Sequence, residues 1–168
     1  MSKEFNEKWI DKVDTLSREE CETIEDELLS CKYPWWTKSP AMIGCVTMVY
    51  QNGSMSRYGL TAQHPNVWMR PALRLNDECD LQKLDTFEYK DHTWTMVSPG
   101  LALCKDPIKE TQYREGSITN KWELPDGTEL PFDQVNVYEN SLLKRSLEEW
   151  ADSMGIPQHE AVQDDIER

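Results

Sequence analysis

Tyr33-Pro34-Trp35-Trp36-Thr37-Lys38-Ser39-Pro40, followed further along by Val67-Trp68-Met69-Arg70-Pro71-Ala72-Leu73-Arg74-Leu75, is the stretch on which the fold turns. Pro34 stops a helix arriving from the N-terminal side, because its ring removes an N–H and crowds the preceding turn. Between the two runs, Ile43 to Tyr50 is rich in β-branched and large apolar side chains, Asn52-Gly53 has the composition of a hairpin turn, and Met55 to Leu60 reads as the returning strand. The second run alternates, with Val67, Met69, Pro71, Leu73 and Leu75 on one face and Trp68, Arg70, Ala72 and Arg74 on the other. Pro71 cannot donate to a ladder, which predicts an edge or a bulge at that point.

Upstream of this centre the spacing of Phe5, Trp9, Ile10 and Val13 predicts an amphipathic helix over residues 4–14. Ser17 and Glu20 form a capping box, Leu16 can staple against Cys21, and Cys21, Ile24 and Leu28 mark one face of a second helix reaching about Ser30. Downstream, Asn76 to Leu81 reads as a turn or short helical connection. Phe87 and Tyr89 then alternate, Lys90-Asp91-His92 turns the chain, and Trp94 and Met96 continue a strand. Ser98-Pro99-Gly100 is another turn before the apolar Leu101 to Cys104. Residues 105–134 are polar, with Asp126-Gly127 between short strands, and read as a loop. A last helix takes Asn140 as its N-cap, Leu143, Leu147, Trp150 and Met154 as its apolar face, and Gly155 just past its end. The reading is an α+β domain of short twisted antiparallel strands and hairpins flanked by two or three helices. It divides into a helical segment 1–32, the Trp-motif half 33–76 and a second half 77–155, followed by an acidic flexible tail, 156–168.

The 168 residues suit one domain with a real core, and 38% hydrophobic content with seven Trp argues against disorder. No apolar run is long enough for a membrane span, the N-terminus lacks a signal-peptide core, and five Cys without a CxxC pair fit buried free thiols; the expected location is the cytoplasm. The formal net charge is −13, which excludes nucleic-acid binding driven by a basic surface. The charge is unevenly spread. Residues 1–32 are net −5 and residues 77–168 net −12, whereas residues 33–76 hold Lys38, Arg57, Arg70 and Arg74 and no acid. The middle of the chain is a basic, aromatic island in an acidic protein.

The two quoted runs are similar to the paired WWLRSP and VRPAL signatures of an uncharacterised domain family of bacteria and phages, with Thr37 and Lys38 standing where that family carries Leu and Arg. Leu16-Ser17-Arg18-Glu19-Glu20 resembles the helix start that precedes its Trp pair. His92-Thr93-Trp94-Thr95-Met96-Val97, Leu101-Ala102-Leu103 and Tyr138-Glu139-Asn140-Ser141-Leu142-Leu143 resemble segments that members place ahead of the Trp pair, so the order here looks circularly permuted. The resemblance covers residues 14–154 and implies a C-type-lectin-like fold related to sulfatase-modifying-factor domains. It also admits a homodimer exchanging its halves.

Catalysis finds no support in the sequence. His64, His92 and His159 fall in a loop, a turn and the tail, no Gly-x-Ser-x-Gly or HExxH pattern occurs, and the acidic side chains lack the loop spacing of an oxygen cage; no catalytic residue, metal or cofactor is expected. Cys79 lies among acids and Cys104 in an apolar strand, neither an activating setting. The acidic surface is the leading candidate. Glu115, Glu123, Asp126, Glu129 and Asp133, with Glu148, Glu149 and Asp152 on the last helix, could imitate a phosphate backbone and occupy a nucleic-acid-binding protein. The matching function is a phage- or mobile-element-encoded inhibitor of a host defence effector of the CRISPR type. The alternative is a lectin-like ligand or peptide site at Trp35, Trp36, Trp68, Arg70 and Arg74, and a third reading is an enzyme of unknown activity. Against the ligand site stand core packing for the Trp pair and, for Arg70, an internal ion pair with the acidic second half.

Overall fold

In the computed structural model, which describes residues 2–41, 44–56, 58–62, 64–114 and 137–157, the second of the two quoted runs does not form one strand. It forms β6 (Trp68–Met69) and β7 (Ala72–Leu75), separated at Arg70-Pro71, and the two pieces belong to different sheets. The missing N–H of Pro71 therefore ends one ladder and lets the chain start another.

The remaining strands are β1 (Ser2–Lys3), β2 (Ile10–Asp14), β3 (Trp35–Pro40), β4 (Cys45–Val49), β5 (Leu60–Thr61), β8 (Thr86–Tyr89), β9 (His92–Ser98), β10 (Leu101–Cys104) and β11 (Lys109–Glu110). One sheet has the order β1-β8-β9-β10-β7-β2 and the other β11-β6-β3-β4-β5. Most neighbours are antiparallel, but β1 runs parallel to β8 and β3 parallel to β6. With helices α1 (Arg18–Glu22), α2 (Asp26–Leu29) and α3 (Leu142–Ser153), the chain is an α+β protein. The strands β7 and β10 that join the two halves of the sequence pair within one chain, Leu101 opposite Arg74 and Leu103 opposite Ala72.

The first expected helix is absent. Glu7–Trp9 makes a single 3-10 turn, and Ile10–Asp14 is a strand on β7, with Val13 opposite Leu73. The register shifts between Ile10 and Lys12, and this irregularity turns Ile10 and Val13, three residues apart, toward the same apolar cluster. A helical spacing is thereby satisfied by a bulged strand. The second expected helix is cut in two. The capping box forms as read, with Ser17 Oγ accepting from Glu20 N–H and Glu20 from Ser17 N–H, but Thr23 closes α1, and α2 restarts at Asp26. Segment 1–32 is thus strand and helix rather than helical. The expected returning strand is likewise split into a bridge from Met55 to Val49 and the separate β5. Ser141, not Asn140, caps α3, its Oγ accepting from Lys144 N–H.

Alternation distributes the core. On β9, Trp94 and Met96 pack with Ile10, Leu73, Phe87 and Ala151, while Val97 joins Leu16, Leu29, Trp35 and Leu103 on the opposite face. A third cluster gathers Trp36, Val46, Met48, Met69, Tyr113, Leu143 and Leu147. Adjacent Trp35 and Trp36 therefore point into two different clusters. Each indole N–H is satisfied by a backbone carbonyl, Leu29 O at 3.1 Å and Thr111 O at 2.8 Å. Among the described residues no helix is long and apolar enough to cross a membrane.

Candidate functional site

Strand β3 brings Lys38, and the β6–β7 crossing brings Arg70 and Arg74, so three of the four cations of the basic island can be followed. All three face the interior of the fold. Asp14, 1% exposed at its side chain, receives Lys38 Nζ at 2.8 Å and Arg74 Nε at 2.9 Å. Arg74 also donates to both carboxylate oxygens of Glu20, a bidentate grip, and to Thr15 O at 3.0 Å. Burial alone would push the Glu20 carboxyl up. Its bonds from Arg74 and Ser17, with the nearby Lys38, outweigh that and hold it at about 2.

Arg70 is handled differently. It is 3% exposed, and its Nε, Nη1 and Nη2 donate to Cys104 O at 2.7 Å, Leu29 O at 2.9 Å and Lys105 O at 3.3 Å. The guanidinium lies 5.1 Å from the Trp35 ring centre. Among the described residues the expected ion pair with the acidic second half does not form; carbonyl dipoles converging from α2 and the end of β10 surround the guanidinium instead. Burial pulls its pKa down.

The ligand platform is not assembled either. Trp35 and Trp36 are 0% exposed, Arg74 is committed to two carboxylates, and Trp68 stacks on Tyr33 at 4.3 Å. Of that set, Arg70 borders a cleft. It lines an open groove of about 470 Å³, together with Leu28, Lys32, Lys105, Thr86, Thr93 and Thr95. The three threonines occupy the face of β8 and β9 that is opposite Trp94 and Met96. Glu27 and Asp106 also line the groove. These groove residues were missed from sequence; the only trace was the Thr93-x-Thr95 alternation, which resembles an ordinary solvated strand face.

Of the acidic candidates, Glu148, Glu149 and Asp152 are exposed on α3, away from the buried Leu143, Leu147 and Ala151. Glu115, Glu123, Asp126, Glu129 and Asp133 lie outside the described residues, as do residues 158–168 of the tail with His159, whereas Ile156, expected to begin that flexible tail, is buried in the core. Among the groups with reactive potential, burial pushes the Cys21 and Cys104 thiols up to about 12, and burial followed by Asp80 and Asp85 raises Cys79. The His92 ring meets Trp150 edge-on at 5.9 Å. No group of three His, Cys, Asp or Glu side chains suited to a metal ion occurs among the described residues. The chain matches no family model, no curated protein and no solved structure.

Proposed function

We propose that this chain is a non-enzymatic binding protein whose acidic exterior engages the cationic surface of a nucleic-acid-binding protein. One observation carries the reading: Lys38 and Arg74 are paired with Asp14 and Glu20, and Arg70 is buried against backbone carbonyls, so these three cations of the basic island do not lie among the exposed carboxylates of α3. With a net charge of −13, the field outside the molecule attracts basic partners and repels nucleic acid. Glu148, Glu149 and Asp152, carried on the rigid α3, are the described part of the contact surface. An inhibitor encoded by a phage or mobile element and directed at a host CRISPR-type effector uses this chemistry.

The test is capture from a bacterial extract at low salt, followed by salt and competition steps. Carboxylate-driven contacts are screened over about 10 Å at 0.1 M salt, so the captured protein elutes on a modest salt increase and is displaced by duplex DNA. The triple reversal Glu148→Lys, Glu149→Lys, Asp152→Lys weakens capture at least tenfold while leaving the urea midpoint close to that of the parent, since surface charges contribute little to stability. A captured partner indifferent to salt and to DNA removes the reading.

A further inference from the structure

We propose that the groove between α2 and the β8–β9 face is a binding site for a small oxyanion, a carboxylate or a phosphate ester, seated against Arg70 between Lys32 and Lys105. This goes beyond the acidic-surface reading and does not rest on it.

The case begins with how the protein uses its cations. Lys38, Arg74, Lys83 and Lys144 each meet a carboxylate. Arg70, Lys32 and Lys105 line one groove, and none of them is ion-paired among the described residues. In a chain with 31 acidic and 18 basic side chains, three cations gathered in one groove beside two carboxylates, Glu27 and Asp106, are a local excess of positive charge. Arg70 is the anchor. A guanidinium has five N–H donors, and the three carbonyl bonds leave two for a ligand. Burying such a charge is costly, and dipoles alone offset the cost less well than an anion forming charge-assisted hydrogen bonds does.

The rest of the groove fits the same ligand. Thr86 and Thr95 stand opposite each other in the β8–β9 ladder, and neither hydroxyl has a partner among the described residues. Thr93 gives its only hydroxyl proton to Glu88 Oε2 at 2.6 Å, so it can accept from a hydroxyl elsewhere on the ligand but does not bind the oxyanion itself. Hydroxyls placed beside cations suit an anionic group carried on a polar small molecule. A volume of about 470 Å³ matches a small-molecule site, and the carboxylates of Glu27 and Asp106 oppose a ligand with many phosphates, such as a nucleic-acid strand.

The experiment uses the full chain labelled with 15N, titrated at constant ionic strength with inorganic phosphate and, separately, with citrate. Saturable shifts are expected at the amides of Cys31, Lys32, Thr93, Thr95 and Asp106 with at least one probe, and the responding probe tells phosphate from carboxylate. Arg70 itself ties three carbonyls together and is left intact. The double variant Lys32→Ser, Lys105→Ser weakens the responding probe about tenfold or more, and Thr95→Val weakens it measurably with an unchanged spectrum elsewhere. No saturable shift with either probe, shifts centred away from the groove, or equal dissociation constants for the parent and both variants would each overturn the proposal.

Discussion

Glu20 shows how one carboxylate can serve two purposes. Its Oε1 accepts from Ser17 N–H to complete the capping box of α1, and the same carboxylate grips Arg74 across the fold. Its folded pKa, about 2, lies below its ordinary value of 4.5, so its contribution to stability is fully present above pH 4.5 and is lost as pH falls through about 2. The variant Glu20→Gln lacks that contribution. Urea midpoints measured across this range should show the parent ahead of the variant at neutral pH and the gap closing toward pH 2; a gap independent of pH would contradict the assignment. The capping half of this arrangement was legible, because Ser17 and Glu20 are three residues apart. The Arg74 half was not, because the partners lie 54 residues apart and nothing local links them. Arg70 makes the same point more sharply, since its three acceptors are backbone carbonyls, which carry no side-chain signature.

Among the elements, those defined by turn chemistry were readable. Asn52-Gly53 does turn the chain, with Gly53 at φ +91°, and Lys90 and Asp91 both take positive φ between β8 and β9. Gly53 is also pressed against α2: a Cβ there would fall 2.0 Å from Asp26 O. Gly53→Ala therefore combines left-handed backbone strain with a backbone clash, and is expected to cost about 2 kcal/mol or more in urea unfolding. An unchanged midpoint would mean that the hairpin does not lean on α2. The elements that misread had ambiguous periods. Ile10 and Val13 satisfy a helical repeat, yet a bulge lets a strand bury both, and pairing to β7 decides between the two. The continuous helix to Ser30 failed because an apolar face at the right spacing cannot reveal that Thr23 bonds back to Glu20 O and stops the first turns.

For the whole molecule, the α+β class followed from the mixture of turn-bounded strands and one long capped helix, but the division into two sheets did not, because the switch between them happens inside an unbroken apolar alternation. The inward folding of the basic island was hidden for the same reason: sequence records charge, not direction. Phe5 packs against the apolar cluster that contains Ile156, so both ends of the described chain are anchored in one core. A permutant that joins Pro157 to Ser2 by a short Gly-Ser linker and opens the exposed loop between Lys83 and Leu84 is therefore expected to be monomeric. It should unfold in one cooperative urea transition with the slope of the parent; an exchanged dimer or an aggregate would show that the present chain order is needed for folding. The crossing at Arg70-Pro71 has a further mechanical meaning. Layered proteins usually offer a cleavage plane, a surface where weak contacts let one layer slide off the other. Here the covalent backbone itself passes from one sheet to the other, and the guanidinium at the crossing ties it to α2 and to the end of β10, so pulling the sheets apart would load the chain at that point.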